Sequence, residues 1–244
     1  MFQANVVTGE VCGSVVDLSL PGVVPFELER KYRSLSKHNG LLGWNWTSPF
    51  DQGLHLARPG LVYRDQWGQE TPLAPAANSN DGLVASAGNL RLSRAAGELV
   101  LHAPPLTLHY PLPKPGASSF LRPQKIVDGY GNALLFTLNE AGLPERLVDT
   151  MGRHLRILYD NTARIAAIRR RSSTSSAEQL LLRYGYDRFG DLRTMSDAAG
   201  SYHFEYADHL VDRWTYPSGL SGYATYDQHG RCTRLWHDGG RRYR

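Results

Sequence analysis

The chain has 244 residues, 41% of them hydrophobic and 20% charged, with a formal net charge of +4. Its 13 Tyr, 7 Phe and 5 Trp exclude a disordered chain, and no apolar run approaches the roughly 18–20 residues that cross a bilayer as a helix. The 24 Gly and 14 Pro favour short strands and turns over long helices, and the opening MFQANVVTGEV lacks the basic and apolar regions of a secretory signal.

In chain order, strand-like runs are predicted at Glu10–Asp17, Pro25–Ser34, Gly53–Ala57, Gly60–Asp65, Leu90–Leu92 and Glu98–Ala103. Turn signals separate them: Leu20-Pro21-Gly22, Val24-Pro25, Asn39-Gly40 and Arg58-Pro59-Gly60. Ala74–Ala87 and Pro111–Ser119 read as exposed connections. The chain divides at this level into an N-terminal β domain (1–75), an irregular β or linker region (76–125) and a repeat region (126–244).

The repeat region is punctuated by glycine. Gly131, Gly142 and Gly152 are followed by Gly190, Gly200, Gly219, Gly230 and Gly240, with Ala163 and His209 in glycine-like slots. The unit is about 21 residues with a turn every half unit. Between the turns the apolar residues alternate: Leu134, Phe136 and Leu138; Leu155, Ile157 and Tyr159; Leu180, Leu182, Tyr184 and Tyr186; Tyr202, Phe204 and Tyr206. Period-two alternation buries one face of a strand, and glycine supplies the positive φ that hairpin turns require. One repeat is stretched, with two long strands joined by the polar tip Ser172–Ser176. A short helix over 177–182 is the competing reading.

Little in the sequence points to chemistry. Cys12 and Cys232 are read as small buried residues, and no CxxC or paired Cys/His spacing suggests zinc. The nine histidines form no metal-binding pair, and GxSxG, GxGxxG and GxxxxGK[ST] patterns are missing. Neighbouring carboxylates such as Glu10 and Asp17 fall on strands, where proximity in sequence builds no common cleft. Arg outnumbers Lys 23 to four, with clusters at Arg169–Arg171 and Arg241–Arg244, yet 23 acidic residues are interspersed. A solvated face is favoured over nucleic-acid binding. No catalytic, cofactor or metal site is expected.

Tyr159-Asp160, Tyr186-Asp187-Arg188-Phe189-Gly190 and Tyr226-Asp227-Gln228-His229-Gly230 share one signature. It resembles the YD repeat of the Rhs family. The ordered blocks Val7-Thr8-Gly9-Glu10-Val11, Asp17-Leu18-Ser19-Leu20-Pro21-Gly22, Pro25-Phe26-Glu27-Leu28, Arg30-Lys31-Tyr32-Arg33-Ser34 and Leu42-Gly43-Trp44-Asn45-Trp46 are similar to the domain that opens an Rhs shell. Val62-Tyr63-Arg64-Asp65 and Gly68-Gln69-Glu70-Thr71-Pro72 fit as well. The resemblance covers nearly the whole chain, although the family's Asp-Pro self-cleavage pair does not occur in it.

The resemblance implies an all-β fold, a spiralling antiparallel ribbon of YD-repeat hairpins forming part of a hollow shell. It implies a non-enzymatic structural scaffold, the N-terminal part of a shell that encloses a C-terminal toxin domain in bacterial competition, with type VI secretion as a route. Expected partners are the remaining shell and the toxin domain, in the same or a downstream chain, together with a secretion apparatus or chaperone. The expected location is the bacterial cytoplasm before export without a cleavable signal. Asp160, Asp187 and Asp227 are read as turn formers rather than catalytic carboxylates. Tyr32, Trp44, Trp46, Tyr63 and Trp67 are expected to plug the end of the ribbon or to face a ligand. The alternative reading is a carbohydrate- or protein-binding surface module built on the same repeats.

Overall fold

A computed structural model describes residues 2–57, 60–76, 83–113, 119–171, 177–239 and 242–243. Among these the one helix is a single 3-10 turn, Pro49–Asp51; the rest is strand, turn and connection. The all-β expectation holds. The tip Ser172–Ser176, residues Arg58 and Pro59, and most of the Arg241–Arg244 tail lie outside the described residues.

The main body is one antiparallel ribbon. It begins at Phe120–Leu121, passes to Gly53–Ala57, Gly60–Arg64 and Glu70–Pro75, then through Leu83–Ala87, Leu90–Ala95, Glu98–Ala103 and Leu106–Pro111. Lys125–Val127 pairs next, and from Ala133–Leu138 each strand pairs with its sequence neighbour as far as Arg242–Tyr243. Among the described residues no register joins the two ends, so the ribbon is open. Region 76–125, expected as irregular β or linker, contributes regular hairpins: Leu92 and Leu101 face each other in register, as do Leu101 and Leu108, and all three are buried. The short alternation there was too brief to announce four strands.

A second, four-stranded sheet is built from Gln3–Ala4, Val11–Leu20, Phe26–Arg33 and Trp46–Thr47. In Phe26–Arg33 the buried residues are Phe26, Leu28, Arg30 and Tyr32, a strict alternation. This sheet lies across the ribbon, and its contacts advance in order along it. Phe26 packs on Phe136 with ring centroids 6.5 Å apart, Asp17 meets Tyr184, Phe2 and Tyr32 meet the Phe204–Trp214 region, and Gly9 meets Cys232.

The ribbon's two edges are unlike. At five successive hairpins along one edge, one extra residue interrupts the ladder just beyond the turn: Glu145, Ala166, Arg193, Asp212 and Thr233. Of the intervening hairpins whose turns lie on the opposite edge, three, among them Leu192–Asp197 with Gly200–Ala207, keep an unbroken register, and the fourth, Ile165–Arg171 with Glu178–Tyr186, carries one extra residue at Leu181. Bulges bend a strand and strengthen its twist. Concentrating them beside the turns of one edge in the repeat region curls the ribbon.

Glu178–Tyr186 is a strand, as the reading of two lengthened strands expects, and the competing helix does not form. Two local expectations change. Leu180 does not share the face of Leu182 and Tyr184: Leu181 is an extra residue opposite Ile168–Arg169, so Leu180 turns outward, pairs with Arg169 and is exposed. Cys12 and Cys232 are free thiols, half-buried rather than buried, and burial pushes both thiol pKa values up.

Candidate functional site

The repeated turn is a five-residue device. In the Asp160 turn, one carboxylate oxygen accepts the Thr162 N–H at 2.8 Å and the Arg164 N–H at 3.0 Å. Asp187 does the same for Phe189 and Asp191, and Asp227 for His229 and Arg231, at 2.8–3.0 Å. Asp65, Asp128 and Asp149 build the same turn, and Asn139 builds it with an amide oxygen. Short acceptor side chains bonded to nearby backbone N–H groups stabilise turns directly. The fourth turn residue has positive φ: Gly190 and Gly230 by the absence of a Cβ, Ala163 at a φ of 63° despite having one. His209, the other glycine-like slot, sits with Asp208 in a two-residue turn, both with positive φ.

The tyrosine before the turn closes a second contact. Tyr159, Tyr186, Tyr206 and Tyr226 donate their hydroxyls to the carbonyls of Pro144, Ile165, Leu192 and Val211, at 2.6, 2.7, 2.8 and 2.8 Å. Each acceptor belongs to the residue paired beside the preceding bulge, so each ring ties one turn to the next along the bulged edge. Burial pushes all four phenols well above their ordinary pKa, keeping them protonated donors. The Tyr and the Asp of the signature thus have separate jobs. The ring locks neighbouring hairpins and the carboxylate shapes the turn.

Residues beside the bulges, Ile165 and Val211 among them, offer their N–H groups to the N-terminal segment. Ile165 N–H donates to the Leu41 carbonyl (2.9 Å), Val211 N–H to the Tyr32 hydroxyl (2.9 Å) and Cys232 N–H to the Gly9 carbonyl (2.7 Å). Pro144, in the equivalent first slot, has no N–H to satisfy. Backbone donors freed from the ladder need partners when buried, and the docked segment supplies them. Trp46 Nε1 adds a bond to the Tyr206 hydroxyl at 2.9 Å, and Asn45 Nδ2 one to the His209 carbonyl at 3.0 Å.

Of the five singled-out aromatics, Tyr32 and Trp46 are fully buried against Phe2 and Phe204. Trp44 is half-buried and lies on the His209 ring, centroids 4.7 Å apart. Tyr63 belongs to the ribbon, where Gln52 Nε2 donates to its hydroxyl at 2.8 Å and burial raises its pKa to about 12. Trp67 is 56% exposed in the Asp65 turn, with the Lys31 ammonium 5.5 Å from its ring centre. The structure brings three of the five to one interface and leaves Tyr63 and Trp67 elsewhere.

Sequence reading missed the polar centre of that interface. Arg30 and Asp17 are both fully buried, paired at 2.7 Å, and the Tyr184 hydroxyl donates to Asp17 at 2.8 Å. The Arg30 guanidinium lies 5.1–5.2 Å from the centres of the Trp46, Tyr202 and Phe204 rings. The signal was available: Arg30 shares the apolar phase of Phe26, Leu28 and Tyr32. His209 Nδ1 similarly contacts the Asp191 carboxylate at 2.9–3.0 Å. Among the described residues no group of three or more His, Cys, Asp or Glu side chains is arranged to hold a metal ion.

An open ribbon with tyrosine-tied turns and a small sheet docked across it defines a repeat scaffold. Residues 4–73 match a domain of unknown function, DUF6531. Over 213 residues the chain is 25% identical to double-stranded DNA deaminase toxin A of Burkholderia cenocepacia (strain H111), covering 85% of this chain and 14% of that protein. Among solved structures, TcdB2-TccC3 without its hypervariable C-terminal region is similar over 98% of this chain and 12% of that one, with 11% identity and a TM-score of 0.39. The Photorhabdus luminescens Tc holotoxin pore is similar over 97% and 15%, with 11% identity and a TM-score of 0.32. The chain thus spans a small part of each relative. The matching domain and toxin bear out the resemblance to the Rhs/YD-repeat family.

Proposed function

We propose that the chain is a non-enzymatic wall segment of a toxin-enclosing shell, its N-terminal sheet serving as a strut that sets the curl of the ribbon. The observation that carries this is the division of labour at Ile165 and Val211. Each gives its N–H to the docked N-terminal segment and its carbonyl to the tyrosine of the next repeat. The tyrosine hydroxyls and turn carboxylates of the repeats are engaged in holding strands and turns together. The toxin similarity supports a toxin-related scaffold; enclosure of a toxin domain, delivery between competing bacteria and a type VI route are parts of the proposal.

The test is limited trypsinolysis of the gene product that carries this chain, intact and with docking broken by Phe2→Ala plus Trp46→Ala. Protection of a toxin segment in the intact protein, lost in the variant, is the expected result. Equal cleavage rates in both would sink the proposal.

A further inference from the structure

Where the docked segment meets the start of the ribbon, three arginines from separate segments line one cleft of about 340 Å³. Arg64 ends strand Gly60–Arg64, Arg122 follows Phe120–Leu121, and Arg164 closes the Asp160 turn. His38 and Asp51 of the N-terminal segment line the same cleft.

The negative charge nearby is largely committed. Glu70 takes Arg64 from the solvent side. Asp51 is buried, and its oxygens accept the Leu41 N–H at 3.0 Å and the Ser48 N–H and hydroxyl at 2.9 Å each, with His38 Nε2 3.7 Å away. Among the described residues no carboxylate lies within ion-pair distance of Arg122 or Arg164. Arg122 gives Nε to the Phe50 carbonyl at 2.9 Å and lies 4.9 Å from the Phe120 ring centre. Burial lowers its pKa, outweighing the pull of Asp51. Arg164 gives one terminal nitrogen to Thr162 and the other to Asn39 at 3.4 Å, while its Nε is buried without an acceptor.

Guanidinium groups withdrawn from water without a counter-charge are costly. We propose that this cleft is a binding site for a phosphate group, inorganic or carried on a small monoester. One arginine fork satisfies a carboxylate, whereas donors arriving from three directions suit a tetrahedral oxyanion with an oxygen for each. The walls come from both the docked segment and the ribbon, so the site is complete only when the two are assembled. A ligand that binds only the assembled state stabilises it by mass action.

Thermal unfolding of the chain in inorganic phosphate and in glycerol 2-phosphate, against sodium chloride at matched ionic strength, tests this. Phosphate is expected to raise Tm by several degrees over chloride and to show a broadened phosphorus-31 resonance on adding protein. A shift with the ester as well assigns a phosphorylated small molecule; a shift with phosphate alone assigns the free ion. Arg164→Gln and Arg122→Gln, each against its own chloride control, are expected to weaken phosphate binding roughly tenfold or more. Arg164, at the rim, carries the test alone if the Arg122 variant fails to fold. An equal shift in chloride, or a full phosphate response in Arg164→Gln, would overturn the proposal.

Discussion

Asp17 and Arg30 form an ion pair 2.7 Å apart with neither side chain exposed, and the Tyr184 hydroxyl of the ribbon completes it from the other side. Removing one partner of such a pair strands a charge in a dry interior, at about 3–5 kcal/mol. Asp17→Asn is therefore expected to lower unfolding free energy by that order, and Arg30→Met by less, because Met refills the space between Trp46 and Phe204. The double variant Asp17→Asn/Arg30→Met, which removes both charges, should recover much of the loss. Urea denaturation in a double-mutant cycle measures this; additive losses would show that the two residues do not act as a pair.

The turn carboxylates give a pH dependence of definite sign. The Asn132 amide and neighbouring N–H groups hold Asp128 below its ordinary pKa, and the Arg231 and His229 N–H groups do the same for Asp227. Partial burial pushes Asp160 upward, but the Arg164 and Thr162 donors overcome it and its pKa is lowered too. A lowered folded pKa contributes stability above the unfolded value and loses it as pH falls through the folded one. Asn139 shows that an amide can shape this turn without titrating. Asp160→Asn with Asp227→Asn should then be less stable than the parent at neutral pH, the difference closing as pH falls through the lowered carboxyl pKa values. Urea midpoints across that range provide the measurement, and a difference independent of pH would contradict the turn assignment.

Each tyrosine lock is a single hydroxyl, so it can be removed without disturbing the ring. Tyr226→Phe leaves the Val211 carbonyl without its donor and is expected to cost about 1–2 kcal/mol. Tyr159→Phe should cost a similar amount at Pro144. Tyr223, stacked on Trp236 on the opposite face of the ribbon, is the control, and Tyr223→Phe should stay within about 0.5 kcal/mol of the parent. If Tyr226→Phe and Tyr223→Phe behave alike under urea, the lock contributes nothing.

Legibility followed the range of the interaction. The Asp160, Asp187 and Asp227 turns were readable because four or five adjacent residues decide them, down to Ala163 and His209 standing where glycine is expected. Alternation placed Leu155, Ile157 and Tyr184 on the buried face but failed at Leu180, because one extra residue reverses the side of every residue beyond it. Trp46 and Tyr32 were singled out as aromatics, yet their partners Tyr206 and Val211 lie 160 and 179 residues away. Nothing local specifies such a pairing. Arg30 is the instructive case: its charge drew no attention, although its phase within Phe26–Arg33 already placed it inside.

Two glycines separate backbone strain from lost docking. Gly43 has a φ of 89°, and a Cβ there would strike the Gly190 carbonyl, backbone against backbone. Gly190 has a φ of 84°, but its Cβ would meet the Arg164 guanidinium, the far end of a flexible chain. The left-handed conformation alone costs roughly 1–2 kcal/mol for a residue with a Cβ, so Gly190→Ala should lose about that much as Arg164 swings aside. Gly43→Ala must in addition lift segment 39–46 from the bulged edge, releasing Leu41 from Ile165, and should lose more than Gly190→Ala. Ala163→Gly runs the other way: the strain at 63° is relieved, offset by the freer unfolded chain, for a gain of up to about 1 kcal/mol. Urea unfolding followed by tryptophan fluorescence ranks the three. A Gly43→Ala loss no larger than that of Gly190→Ala would mean that the N-terminal segment is not held at this edge.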